Sequence, residues 1–179
     1  MTTTLLLRRT FDKPLSVPDV HERAAESDWC YRNHKVTWHG SFLSADGGTL
    51  ICWFSAVDAE SIRQALRQSG ADMQTLWACT VHEGPEAQGA NVIVERSFNE
   101  PVTFSQMQSA DDAAATCLQT HRVKFLRTYF SLDRKRMVSF YRAPDAESVR
   151  LVHREAALPF DAVWAFQGIG PDASRLAAG

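Results

Sequence analysis

The sequence predicts an α+β protein in which two tandem ferredoxin-like βαββαβ units pack as a pseudo-dimeric α/β barrel. Three observations carry this expectation. The 179-residue chain repeats itself at a spacing of 87 residues without a gap. Each copy shows the same order of strand, helix, hairpin, helix and strand signals. The strands are apolar on both faces, too apolar for either face to meet water, so the two sheets are expected to pack face to face.

The repeat is read by adding 87 to each number. Arg9-Thr10-Phe11-Asp12-Lys13-Pro14 then falls on Arg96-Ser97-Phe98-Asn99-Glu100-Pro101. Cys30 falls on Cys117, His34 on His121, Ser44 on Ser131 and Asp46 on Asp133. Ala56 to Arg63 falls on Ala143 to Arg150, and Trp77-Ala78 on Trp164-Ala165. The implied division is repeat 1 over 4–82, a polar, Gly-containing linker over 83–91, repeat 2 over 92–168, and a small-residue tail over 169–179 expected to fray.

Within a copy the punctuation places each element. An apolar strand, Leu5–Phe11 or Val92–Phe98, is ended by Pro14 or Pro101. Thr103 and Gln106 have capping-box spacing, and Ser16 stands where Thr103 stands. Met107, Ala110, Ala114, Cys117, Leu118 and His121 recur at helical spacing, which predicts one helix over about 104–121. Val123–Ser131 and Met137–Tyr141 read as a hairpin turning at Asp133, with Asp46-Gly47-Gly48 serving the turn in copy one. Asp58 and Asp145 are placed to cap a second helix, with Glu60 and Glu147 in its first turn. A last strand carries Leu76–Val81 or Val163–Phe166.

Composition narrows the function classes. The formal charge of -2 with scattered Lys and Arg gives no basic field for nucleic acid. No apolar run is long enough to span a membrane, and Arg8-Arg9 follow rather than precede the first apolar residues, unlike a secretory signal. Four cysteines without a CxxC pair argue against a disulfide framework or zinc knot, which suits a cytoplasmic protein with reduced thiols.

Strand alternation nominates a site. Val123, Phe125, Arg127 and Tyr129 are expected on one face of the hairpin, together with Ser139 and Tyr141. The purely apolar set, Leu126, Phe130, Val138 and Phe140, is expected under the helices. Glu95 joins the mixed face from the first strand. Copy one contributes Arg8, Trp38, Gly40, Phe42, Cys52 and Phe54. An inter-copy cleft lined by Glu95, Arg127, Tyr129, Tyr141, Ser139, Trp38, Cys52 and Arg8 would be aromatic with a few converging polar groups, the usual make-up of a small-ligand site. The competing interpretation is a Glu95–Arg127 pair across the sheet with the rest as core.

Cys30/His34 and Cys117/His121 each place two metal donors one helical turn apart. Two donors do not make a site, and Cys117 lies on the apolar stripe, so packing is the expected role. His39, beside Trp38, and His21 and His153, on helices, are expected at the surface rather than as ligands.

Val94-Glu95-Arg96-Ser97-Phe98-Asn99-Glu100-Pro101, Phe125-Leu126-Arg127-Thr128-Tyr129-Phe130-Ser131 and Tyr141-Arg142-Ala143-Pro144-Asp145-Ala146-Glu147 together carry a family pattern. The chain resembles the small nickel-binding ferredoxin-like proteins, a domain of unknown function, here as a tandem duplication. The resemblance covers nearly the whole chain and is closer in copy two. It implies the dimeric α/β barrel, nickel as a candidate cofactor, and donors at three places. Those places hold Glu95, Arg127 and Ser139 in copy two, and Arg8, Gly40 and Cys52 in copy one. Neither set is complete, because a guanidinium cannot ligate a metal.

The leading expectation is a non-catalytic binding protein for a metal ion or small molecule, with a homodimer as a further assembly. A small barrel enzyme of oxygenase or isomerase type, resting on fold analogy, and a ligand-free interaction module are the alternatives.

Overall fold

The opening strand of each copy is set by a short apolar run. Leu5, Leu6 and Leu7 form the centre of β1 (Thr3–Thr10), and Val92, Ile93 and Val94 the first half of β5 (Val92–Ser97); all six are fully buried. The computed structural model describes all 179 residues, which divide into two units. Unit 1 is Met1–Cys79 with Gln167–Arg175, and unit 2 is Thr80–Phe166 with Leu176–Gly179.

Unit 1 continues with α1 (Val17–Asn33), β2 (Thr37–Ser44), β3 (Thr49–Ala56), α2 (Ala59–Ser69) and the first part of β4 (Thr75–Glu83). Antiparallel pairing of β1 with β3 and β4, and of β2 with β3, gives the order β2-β3-β1-β4. Ser16 and Asp19 form a capping box at the start of α1, with Pro18 in its first turn. Leu5, Leu7, Leu50, Cys52 and Phe54 pack against Val20, Cys30 and Tyr31 of α1 and Ile62, Ala65 and Leu66 of α2. The helices therefore cover one face of this sheet.

Unit 2 repeats the plan with α3 (Phe104–Ala113), α4 (Ala115–Thr120), β6 (Lys124–Ser131), β7 (Arg136–Arg142), α5 (Ala146–Glu155) and most of β8 (Ala162–Ile169). Its strand order is β6-β7-β5-β8. Val92, Val94, Val123 and Tyr141 pack against Val149 and Val152 of α5. The single helix expected over 104–121 is instead two. Its ladder tightens at Ala114, whose amide reaches back to the carbonyls of both Ala110 and Asp111, the bifurcation typical of a helix end.

The hairpin turns match down to their side chains. Asp46 accepts from Ser44 and the Gly48 amide, and Asp133 accepts from Ser131 and the Lys135 amide. Gly47 supplies the left-handed residue in unit 1, while Arg134 adopts the same conformation in unit 2.

The tail expected to fray is ordered. Pro171–Ala177 form α6, in which Ala173 and Leu176 are buried. In unit 1, a Cβ on Gly40 would lie 2.4 Å from the Ala173 Cβ and 2.5 Å from the Ile169 carbonyl, so only glycine admits this approach. His39 holds the same junction, with Nδ1 2.6 Å from Asp172 Oδ2 and Nε2 2.8 Å from Ser55 Oγ. The linker is likewise pinned: the Gly89 and Ala90 amides bond the Leu176 carbonyl, and the Asn91 side chain bonds both backbone groups of Ala143.

The second helix of each unit depends on one cap. Asp58 accepts from the Ser61 amide and hydroxyl, Asp145 from those of Ser148, and these bonds hold both carboxyls below the usual carboxylate range. Asp58→Ala and Asp145→Ala are each expected to lower unfolding free energy by about 1 kcal/mol, read from urea denaturation midpoints.

Candidate ligand-binding site

A bulge in the second strand of each unit decides which residues share a face. The register slips between Trp38 and Gly40 in β2 and between Phe125 and Arg127 in β6, the same place in the repeat. An extra residue there reverses the alternation beyond it. Arg127 consequently lies opposite Phe140, Thr128 opposite Ser139 and Tyr129 opposite Val138.

The expected single face is thereby divided. Glu95, Arg127 and Tyr129 share the face of Val138 and Phe140, while Ser139 and Tyr141 lie on the helix side with Thr128. In unit 1, Trp38 and Cys52 belong to the helix side, packed with Phe54, and Arg8 to the other. The expectation that Phe125 stays with Arg127, and that Val138 and Phe140 lie under the helices, is corrected for the same reason. Phe125 meets Tyr141 edge to face on the helix side, and Phe140 meets Tyr129 on the other.

On the face away from the helices, the charged groups have internal partners. Glu95 accepts from Trp164 Nε1 at 2.8 Å. Arg127 donates to Glu83 at 2.7 Å and to the Tyr129 hydroxyl at 3.1 Å.

The helix side of unit 2 holds a denser polar group that strand alternation missed. Arg96, with a fully buried side chain, donates from Nη2 to His153 Nε2 at 2.9 Å and to the Tyr141 hydroxyl at 3.3 Å, with Asp111 at 3.5 Å. Its Nε and Nη1 have no partner. A guanidinium has five N–H donors, so three of them are unspent. The sequence did carry a signal, since Arg96 and Arg9 are identical in the two copies.

His153 is fully buried rather than at the surface, because it turns inward as the acceptor for Arg96. Its tautomer follows from its partners. Arg96 only donates and the Val149 carbonyl only accepts, so Nε2 is bare and the proton sits on Nδ1, 2.8 Å from Val149 O. Burial, reinforced by the Arg96 charge, pushes His153 down to about 4. Burial also pushes the Tyr141 phenol up to about 12 and raises the Asp111 carboxyl, against the opposing pull of Arg96.

Asp111 and Thr128 line a cavity of about 320 Å³ between sheet and helices of unit 2. Phe104, Met107, Leu118 and Met137 make its apolar wall. It opens beside His82, which stacks on Phe104 at 3.8 Å between ring centroids.

Metal ligation fares less well. Within either unit no three His, Cys, Asp or Glu side chains converge on a common point. Cys30 is in the core of unit 1 and Cys117 packs against the separate core of unit 2, while His34 and His121 bond Gln68 and Glu155. No helix is long and apolar enough to cross a membrane.

A ferredoxin-like unit in tandem, with a pocket between sheet and first helix, defines the class to which comparison with known proteins can be put. The chain belongs to the nickel responsive protein SCO4226-like family, whose model matches twice, over residues 6–78 and 93–165. No curated protein matches. Among solved structures, a putative chlorite dismutase is similar at 13% identity and a TM-score of 0.53, covering 98% of this chain and 97% of that one. Chlorite dismutase from Candidatus Nitrospira defluvii in complex with imidazole is similar at 13% identity and a TM-score of 0.51, covering 98% and 93%. These likenesses show the fold, that of the dimeric α/β barrel proteins.

Two expected outcomes follow from the geometry. Because His153 is harder to protonate folded than unfolded, its contribution is present above about pH 6.5 and is lost as pH falls towards 4. The loss should approach about 3 kcal/mol, and urea denaturation across this window should show a shallower decline for His153→Gln. Arg127→Ala should lower stability by about 1 kcal/mol or less, since its Glu83 partner is mostly exposed; the same denaturation assay measures it.

Proposed function

We propose that this chain is a binding protein whose site is the unit 2 cavity, and that its ligand is a small, mostly apolar molecule bearing one acceptor group, a carboxylate or carbonyl. One observation carries the reading: Asp111, a carboxyl raised by burial and backed by the buried Arg96 at 3.5 Å, lines with Thr128 a cavity whose remaining wall is largely apolar. A buried charge without adequate acceptors costs several kcal/mol. The nearest carboxylate, Asp111, is at 3.5 Å and is itself raised by burial. An incoming oxygen at that end would meet the Thr128 hydroxyl and lie beside Asp111, whose carboxyl is raised by burial. Phe104, Met107 and Phe125 would cover the apolar body.

The family's name makes nickel the competing occupant. The donor sets within each unit do not fit it, since Arg8 and Arg127 cannot ligate and each Cys–His pair lacks a third donor. Of the two ligands that the sequence nominated, the small molecule is therefore the one supported here. Glu95, Arg127 and Tyr129 are assigned to holding their own strands.

The test is thermal unfolding with a panel of small aromatic carboxylates, each beside its matched amine, and with nickel. A binding carboxylate at one hundred times its Kd should stabilise by about 2.7 kcal/mol. Met107→Trp, which fills the cavity, should remove that shift while leaving the free protein folded. Failure of every carboxylate, or a shift untouched by Met107→Trp, overturns the proposal. Stoichiometric nickel binding in calorimetry that survives Met107→Trp would return the function to the metal.

A further inference from the structure

Unit 1 holds a cavity of its own at the matching place in the repeat, about 170 Å³ in volume, between the sheet, α1 and the end of α2. Val20, Ala24, Tyr31, Ser41 and Leu50 line it where Met107, Asp111, Leu118, Thr128 and Met137 line the cavity of unit 2. What differs is the charge. Arg23, Glu26 and Ser27 of α1 also line the unit 1 cavity, and unit 2 has Ala110, Ala113 and Ala114 at their positions. Arg9 lines the cavity as well and is only 7% exposed.

The two arginines are gathered but not neutralised. The Cζ atoms of Arg9 and Arg23 lie 5.7 and 5.3 Å from the centroid of the Phe11 ring, so one aromatic ring holds both guanidiniums. Arg9 spends one N–H on Cys52 Sγ at 3.6 Å and has no carboxylate at ion-pair distance within unit 1. Arg23 and Glu26 are three residues apart on α1, a spacing that normally pairs opposite charges. They form no ion pair, and Arg23 is held over Phe11 instead. Asp19, one turn before Arg23, is committed to Ser16 in the helix cap. The Ser41 proton goes to Cys52 and its lone pair to Trp38, and Ser69 bonds the Leu66 carbonyl. The groups left for a ligand are therefore the two guanidiniums, the Ser27 and Tyr31 hydroxyls, and the Glu26 carboxylate. Burial pushes the Tyr31 phenol up to about 12, so it is a donor and adds no second anion.

We propose that the unit 1 cavity binds inorganic phosphate in a form that keeps a proton, its charged oxygens set against Arg9 and Arg23 and its P–OH donating to Glu26. Guanidiniums suit this role, because their planar forks match the oxygens of phosphate and bond them strongly. Two arginines against one carboxylate leave the cavity positive, as an anion requires. Glu26 then supplies the selectivity. Phosphate retains at least one proton near neutral pH and can satisfy a carboxylate. Sulfate retains none, so its oxygens would face the Glu26 oxygens as like charges, a repulsion that rejects the wrong anion. The volume suits a five-atom oxyanion and is too small for a nucleotide. The site also accounts for a buried Arg9, whose charge costs stability until an anion joins it. It lies within unit 1 and does not depend on ligand binding in unit 2.

The experiment is calorimetric titration of the full-length protein with sodium phosphate near neutral pH at constant ionic strength, beside parallel titrations with sodium sulfate and sodium acetate. Phosphate should bind one to one, with sulfate and acetate each weaker by about tenfold or more, the value of one charge-assisted hydrogen bond. Arg23→Gln should weaken phosphate by about the same factor. Glu26→Gln should narrow the gap between phosphate and sulfate. Arg23 and Glu26 are both exposed and outside any ion pair, so these variants keep the fold. Met107→Trp, which fills the other cavity, should leave phosphate binding unchanged and so separates this site from the one in unit 2. Absence of saturable phosphate binding, sulfate or acetate binding as tightly as phosphate, or phosphate binding untouched by Arg23→Gln each overturns the proposal.

Discussion

A guanidinium buried on the helix side of the first strand is the constraint to which both units answer. Arg9 and Arg96 occupy one position in the repeat, and each sits where an apolar residue would pack without cost. Once an arginine is there, every group within reach is bound to be an acceptor or to leave a donor unpaired. In unit 2 the response is His153, Tyr141 and Asp111, none of which has a polar counterpart in unit 1, where Leu66, Phe54 and Ala24 stand. In unit 1 the response is Cys52, whose sulfur accepts from Arg9 and also from Ser41. Duplication kept the charge and let its surroundings diverge, which is how one plan comes to offer a roomier, apolar cavity in one unit and a smaller, polar one in the other.

The bulge acts at a second level, by sorting side chains rather than by adding energy. It lies at Trp38–Gly40 and at Phe125–Arg127, so it predates the divergence of the copies in the sense that both retain it. In unit 1 the residue after the slip must be glycine, because α6 backs onto it. In unit 2 the same place holds Arg127, which extends instead to Glu83 and Tyr129. One local irregularity thus gives a tight helix seat in one copy and an ion pair in the other. It also brings Ser41 and Thr128, the next residues, to the helix side, where Ser41 meets Cys52 and Thr128 meets Ser139.

The neutrality of His153 links packing to pH. Its proton is fixed on Nδ1 by a helix carbonyl, so Nε2 faces Arg96 as a lone pair. Protonation would place two cations against each other in a site without water-like screening, which is why the fold and the acid range oppose one another here.

The sequence by itself determined the duplication, the βαββαβ order and the helix caps. Those rest on local rules: residue spacing, hydroxyl and carboxylate caps, and turn residues that act within a few positions of themselves. It also exposed Arg9 and Arg96 as a repeated pair, though not their burial. What only the tertiary structure decided is which face each strand residue meets. A bulge is one extra residue with no composition of its own, yet it reverses alternation for everything beyond it, and so separated Tyr141 and Ser139 from Arg127. The folding of 169–179 into α6 was equally out of reach, because Ala173 and Leu176 gain their burial from residues more than eighty positions away, Gly40 and Gly89 among them. The same holds for His153, a helical histidine expected at the surface that a distant arginine holds inside.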